Sequence, residues 1–214
     1  MAFSRKSPLL ALIISAFSLL AACSSPAKDT SKATIPTELT ENYEVATLAG
    51  GCFWCMEPPF EDLEGVQAVI SGFSGGEEVD PSYQDVAYGR TGHTESVQIY
   101  FDPSIISYEE ILGVYWRQID PTDLKGQFVD RGPQYRPEIF VHSSAQRKVA
   151  EESRKELEES GRFNEAIVVP VTDFVSFYPA EEYHQDFYKK SPQRYYGYRK
   201  GSGRDQFIES HWKD

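Results

Sequence analysis

Three cysteines in 214 residues are too few for a disulfide-stapled scaffold, and no second cysteine pair exists to complete a zinc module. Clustered basic residues are also missing. Against 33 Asp and Glu stand 21 Lys and Arg, for a formal charge of −12, and the basic residues form no run or stripe. That pattern excludes a nucleic-acid partner, because phosphate contact needs Lys and Arg gathered on one surface. The apolar run Leu9 to Leu20 has twelve residues, short of the about 20 that a comfortable membrane span needs. No internal repeat is visible. What the chain has in quantity is aromatic side chains, 13 Phe, 13 Tyr and 3 Trp. They suffice for one sizeable core in a chain of single-domain length.

Arg5 and Lys6 precede the apolar run, which ends in Leu20-Ala21-Ala22-Cys23. This resembles the lipobox of bacterial lipoproteins, and the resemblance implies cleavage before Cys23 and lipidation of its sulfur; the alternative is an ordinary cleaved signal peptide with a cysteine nearby. Ser24, being non-acidic, implies outer-membrane sorting in a double-membraned cell. From Ser24 to about Thr40 the chain is rich in Ser, Thr, Pro and Lys and reads as a tether. The expected division is a signal peptide over 1–22, a tether over 23–42 and one folded domain over 43–214.

Within that domain, Val45 to Ala49 reads as a buried strand running into Gly50-Gly51. Val66 to Phe73 and Glu95 to Phe101 are further strands; in the second, Val97, Ile99 and Phe101 alternate with polar residues. Ser107 to Glu110 forms a capping box before a helix whose Ile111, Leu112, Tyr115 and Ile119 share a face. A strand is expected at Glu138 to His142. A helix is expected over Ser144 to Ser160, with Ala145, Val149 and Leu157 on its stripe. Short strands at Val168 to Val171 and Phe174 to Phe177 and a helix over Glu181 to Tyr188 complete an α+β domain. The tail from Gln193 is polar and aromatic, without a clear period.

With Cys23 assigned to the leader, Cys52 and Cys55 remain, three apart and preceded by a strand and two glycines. A cysteine there can meet free backbone N–H groups that lower its pKa, and Phe53-Trp54 offers an apolar pocket beside the sulfur. Cys-x-x-Cys also permits a local disulfide. Pro58-Pro59 kinks or restarts any helix begun at Cys52. In Thr91-Gly92-His93-Thr94-Glu95, a carboxyl at a strand start near such a pocket can be held protonated by desolvation and act as an acid.

Taken together, the segments resemble the peptide methionine sulfoxide reductase A family from about Tyr43 to Tyr188. The resemblance rests on Gly51-Cys52-Phe53-Trp54, Ser74-Gly75-Gly76 with Pro81-Ser82-Tyr83, Thr91 to Glu95, and Asp102-Pro103 with Ile106 to Glu109. It continues through Asp120-Pro121-Thr122, Asp130 to Arg136, and Glu182-Tyr183-His184-Gln185. It implies a compact ferredoxin-like two-layer sandwich that reduces methionine S-sulfoxide, free or in proteins. Cys52 would attack the sulfoxide sulfur and become a sulfenic acid, with Glu95 as the acid at the oxygen. Phe53 and Trp54 would hold the substrate methyl, and Tyr83, Asp130 and Tyr135 would position the oxygen. His93 and His184 carry structural roles, and no metal or other cofactor is implied.

The tail lacks the cysteines with which many relatives resolve the sulfenic acid, so Cys55 is expected to close a disulfide with Cys52. The alternative is a buried bystander, with an external thiol reducing the sulfenate. A thioredoxin-like reductant, a monomeric state and a membrane-anchored place in the cell envelope complete the expectation. Two rival readings stand beside it: a general envelope thiol–disulfide oxidoreductase using Cys52 and Cys55, and a binding lipoprotein with an aromatic pocket.

Overall fold

The computed structural model describes residues 1–2 and 29–213. Residues 3–28, with Cys23 and nearly all of the expected signal peptide, lie outside the described residues.

The sheet is built from β1 (Glu44–Gly50), β2 (Val66–Ser74), β3 (Thr94–Phe101), β6 (Pro137–Val141), β7 (Val171–Asp173) and β8 (Phe177–Pro179); β4 (Gly126–Gln127) and β5 (Asp130–Arg131) form a separate small ribbon. Strand order is β7-β6-β1-β3-β2-β8. The inner four, β6-β1-β3-β2, are antiparallel throughout and are joined in the strand–helix–strand–strand–helix–strand order of a ferredoxin-like layer. β7 joins one edge in parallel and β8 the other antiparallel. The expected α+β sandwich is the observed one.

Helices α2 (Phe53–Met56), α3 (Pro58–Glu61), α5 (Tyr108–Gln118) and α6 (Ser144–Glu159) pack against one face. Ala46, Leu48, Val97, Ile99, Phe101, Ile139 and Val141 bury against Ile111, Leu112, Tyr115 and Ile119 there. Period-two alternation puts Glu95 on the same face as Val97 and Ile99, at the strand's end. The opposite face is polar and internally satisfied: Tyr100 donates to Gln98 at 2.7 Å, and Gln98 to Thr47 at 3.2 Å. The capping box at Ser107 forms in full with Glu110. Pro58-Pro59 ends one short helix and begins the next, as expected.

Several expectations shift. The tether does not reach residue 42: from Ser31 the chain docks on the domain. Ala33 N–H donates to Ala180 O at 3.0 Å, Glu182 N–H to Ser31 O at 2.8 Å, and Leu39 is buried in α1 (Thr37–Asn42). The buried stripe of α6 is Gln146, Ala150 and Leu157, not Ala145, Val149 and Leu157. Gln146 can sit inward because its amide donates to Val45 O at 2.9 Å and accepts from His142 N–H at 3.0 Å. The two late strands lie further on than expected, at β7 and β8. Glu181 to Tyr188 is not a helix. Gln185 instead clamps Ser71, accepting from its N–H and donating to its C=O, both at 2.8 Å, and Asp186 turns left-handed before α7 (Phe187–Lys190). The tail forms α8 (Pro192–Ser202) and α9 (Arg204–Trp212).

Candidate active site

β1 delivers the chain to the site and Gly51 turns it. Its φ is +83°, and a Cβ there would meet Gln127 Cβ at 2.6 Å and Arg204 Nη2 at 3.0 Å. The turn sets Cys52 at the N-cap of α2, where it is 7% exposed; Cys55, one turn on, is fully buried. Both are free thiols and hydrogen-bond to each other.

The expected lowering of the Cys52 pKa by backbone N–H groups is not what the site does. The Phe53 N–H at the helix start donates to Glu95 Oε2 at 3.0 Å, and the Cys55 N–H to Cys52 O at 3.0 Å. Burial instead pushes the Cys52 thiol well up, helped by its bond to Cys55 and by the Glu95 charge. Cys55 moves the other way, to about 7: the Cys52 hydrogen bond leads, burial opposes it, and Arg204 and Arg199 add their charges.

Glu95 arrives from β3, fully buried, and desolvation raises its carboxyl to about 8. Near neutral pH much of it is therefore the acid. The Tyr83 and Tyr135 hydroxyls lie in the field of Glu95 and Cys52, and burial raises both well above the ordinary tyrosine value. Asp130, from β5, is half-buried with its pKa raised by burial, and accepts a short hydrogen bond from Tyr198 OH.

The aromatic wall is continuous. Phe53 lies 5.1 Å from His184 and 6.3 Å from Tyr83, ring centre to centre, and Trp54 stacks on Phe187 at 3.7 Å. Trp54 Nε1–H donates to His184 Nδ1 at 2.9 Å, which fixes the indole's orientation. Phe53 itself is 1% exposed, so its ring backs the wall, while Trp54 is partly exposed. His93 is structural: its ring nitrogens bond Gly76 N–H at 3.2 Å and Glu78 O at 2.8 Å, holding the loop before β3.

The sequence profile of the peptide methionine sulfoxide reductase family matches residues 44–214. The chain belongs to this family. It is 54% identical over 173 residues to peptide methionine sulfoxide reductase MsrA of Listeria monocytogenes, covering 81% of this chain and 98% of that protein. To the Bacillus licheniformis MsrA it is 53% identical over 174 residues, covering 81% and 96%. The crystal structure of Mxr1 from Saccharomyces cerevisiae in reduced form superposes with a TM-score of 0.67 at 31% identity, over 71% of this chain and 87% of that one. Methionine sulfoxide reductase A of Corynebacterium diphtheriae gives 0.61 at 28%, over 71% and 76%. This chain is therefore an oxidoreductase acting on methionine sulfoxide, and the two rival readings fall.

The structure of this reductase brings eight of the predicted residues together: Cys52 at the N-cap of α2, Phe53, Trp54 and Cys55 within it, Glu95 from β3, Tyr83 from α4 (Tyr83–Ala87), Asp130 from β5 and Tyr135 from the turn Pro133–Tyr135. Sequence reasoning missed the tail's share of the site. Tyr198 bonds Asp130, Arg199 donates to Cys55 O at 3.0 Å, and Arg204 lies buried beneath the cysteine turn. The Tyr-Tyr-Gly-Tyr-Arg stretch was the only signal. Its Tyr195 packs on Phe187 and Cys55, while Tyr196 stays exposed. Glu57, buried and raised to about 8 by desolvation, was missed too; it accepts from Asp186 N–H at 2.8 Å and ties α2 to the His184 segment.

Proposed function

We propose that this methionine sulfoxide reductase uses Cys52 as nucleophile and Glu95 as acid on the S epimer of methionine sulfoxide. The observation that carries the reading is a buried carboxyl, held largely protonated by desolvation, hydrogen-bonded to the Cys52 thiol and oriented by the Phe53 N–H. Attack on a sulfoxide sulfur is slow while the oxygen keeps its negative charge, and an acid with a pKa close to the working pH is the efficient remedy. Glu95 gives its proton to the oxygen and takes the proton that Cys52 releases, so one carboxyl serves both transfers. The substrate S–O bond breaks and a Cys52 S–O bond forms. The thioether sulfur gains the two electrons that Cys52 loses, leaving a sulfenic acid.

Tyr83, Tyr135 and Asp130 position the oxygen, and Trp54 with the Phe53 wall takes the methyl. Cys55 then attacks the Cys52 sulfenic acid, giving a Cys52–Cys55 disulfide and water. A thioredoxin-like dithiol restores both thiols, because the disulfide needs two electrons from outside. The substrates are the free amino acid sulfoxide and oxidised proteins, met by a monomer at the cell envelope. Arg5-Lys6, the Leu9 to Leu20 run and Leu20-Ala21-Ala22-Cys23 support an anchor of lipid on Cys23. Among the described residues no helix is long and apolar enough to cross a membrane.

The enzymatic test is an assay of the full chain with dithiothreitol and each sulfoxide epimer separately. The S epimer is consumed, the R epimer persists, and Cys52→Ser removes the activity; consumption of both epimers, or turnover by the serine variant, overturns the assignment. A membrane fraction holding only the uncleaved precursor mass overturns the lipid anchor.

A further inference from the structure

The last two helices bring two guanidinium groups to the second cysteine, and the reaction as proposed does not use them. Arg204 is 1% exposed. Its Nη2 donates to Gly50 O at 3.0 Å, and its Nη1 to Met56 Sδ at 3.4 Å and, in a short bond, to Gln118 O. Its Nε–H has no acceptor and it makes no salt bridge among the described residues; the guanidinium lies over the Phe128 ring, 4.8 Å from its centre, and its charge acts on the partly buried Asp130 carboxyl. Arg199 donates to Cys55 O at 3.0 Å and to Gln118 Oε1 at 3.2 Å, and pairs with Asp205 at 2.7 Å. Cys55, whose carbonyl Arg199 holds and whose neighbour Met56 Arg204 touches, is fully buried against Phe187 and Tyr195.

A buried guanidinium with no salt-bridge partner is costly, and so is a buried thiolate without a cation. The Arg204 and Arg199 charges both favour the Cys55 thiolate. We propose that Arg204, with Arg199, is a positioning residue for the second half-reaction, holding Cys55 as the thiolate that attacks the Cys52 sulfenic acid.

This rests on the reading of Cys55 as the resolving thiol. In the step, the Cys55–Cys52 S–S bond forms and the Cys52 S–O bond breaks. The departing hydroxide takes a proton from Glu95 and leaves as water; Cys55 is oxidised as the Cys52 sulfur is reduced. The groups acting on Cys55 are Cys52 at the N-cap of α2, Glu95 from β3, Asp130 from β5, and Tyr195, Tyr198, Arg199 and Arg204 from the tail helices, with Asp205 paired to Arg199. The Cys52 thiol is the leading cause of the low Cys55 value, but its S–H is consumed when the sulfenic acid forms. The arginines are the favourable charges that persist into the step.

The test follows the full-length reduced protein through one turnover with methionine S-sulfoxide from pH 5 to 10, timing methionine release and thiol loss separately. The variants are Arg204→Met, which keeps bulk and removes charge, with Arg204→Lys and Arg199→Gln in case the first does not fold. Losing the charge returns Cys55 toward an ordinary thiol. Each unit by which its pKa rises lowers the thiolate fraction at pH 7 up to about tenfold, while the more basic thiolate attacks about 2.5- to 3-fold faster. The expected result is methionine release within about twofold of wild type, thiol loss about 3-fold or more slower at pH 7, and thiol loss faster than wild type above about pH 9. Arg199→Gln follows with a smaller shift, and Arg204→Lys restores most of the wild-type profile. Two thiols lost with a wild-type pH midpoint in the charge-removing variants overturns the arginine role alone. A wild-type protein that loses one thiol overturns the resolving role of Cys55 itself.

Discussion

A carboxyl sealed beneath packed side chains loses its water before it loses its proton, and Glu95 and Glu57 are both in that position, each raised to about 8. For Glu95 the consequence is kinetic. Its acid form is present below about 8 and disappears above it, so the rate of methionine formation in a single turnover should fall on that limb. Glu95→Gln should lower the rate about 100- to 1,000-fold and abolish the limb, read in a pH-resolved quench experiment. For Glu57 the consequence is stability. A carboxyl whose folded pKa exceeds its unfolded one contributes fully below the unfolded value near 4.5, and that contribution is lost as pH rises toward 8. Glu57→Gln should therefore flatten the fall in Tm between about pH 5 and 8 seen by calorimetry in the parent protein. An unchanged slope would place the loss elsewhere.

At the scale of elements, the cysteine turn tolerates little. Gly51→Ala puts a methyl at positive φ against Gln127 and Arg204, so it should cost about 1–3 kcal/mol in denaturant unfolding and more in activity, since it moves the nucleophile. Ser107→Ala removes a capping box on the far side of α5 and should cost about 1 kcal/mol with turnover unchanged. The elements legible in the sequence were those with a strong local signature. β3 alternates, Ser107 caps, and Pro58-Pro59 breaks the helix after Cys55. What was not legible depended on partners far along the chain. Gln185 gives its amide to Ser71, 114 residues away, and that bond holds Glu181 to Asp186 out of a helix. α8 carries Gly197 and Gly201, which argue against a helix by about 1 kcal/mol each. It forms because Tyr195 and Arg199 anchor it to Phe187 and Cys55.

Over the whole molecule, one ferredoxin-like sheet carries the catalytic loops at one end and is closed there by its own C-terminal helices. The residues that name the family are contiguous motifs, so the site residues could be listed from sequence. Their electrostatics could not, because the charges around Cys55 come from a tail whose composition reads as surface. On the proposed assignment of Cys23 to a leader, Cys52 and Cys55 are the two thiols left, and the proposed disulfide between them would carry the two electrons per methionine. The most direct measurement is therefore stoichiometric. Reduced full-length protein is given excess methionine S-sulfoxide without reductant, methionine and lost thiols are counted, and the product is mapped by mass spectrometry. About one methionine with two thiols lost and a Cys52–Cys55 disulfide is the predicted result; no methionine, or methionine still formed by Cys52→Ser, would contradict the account.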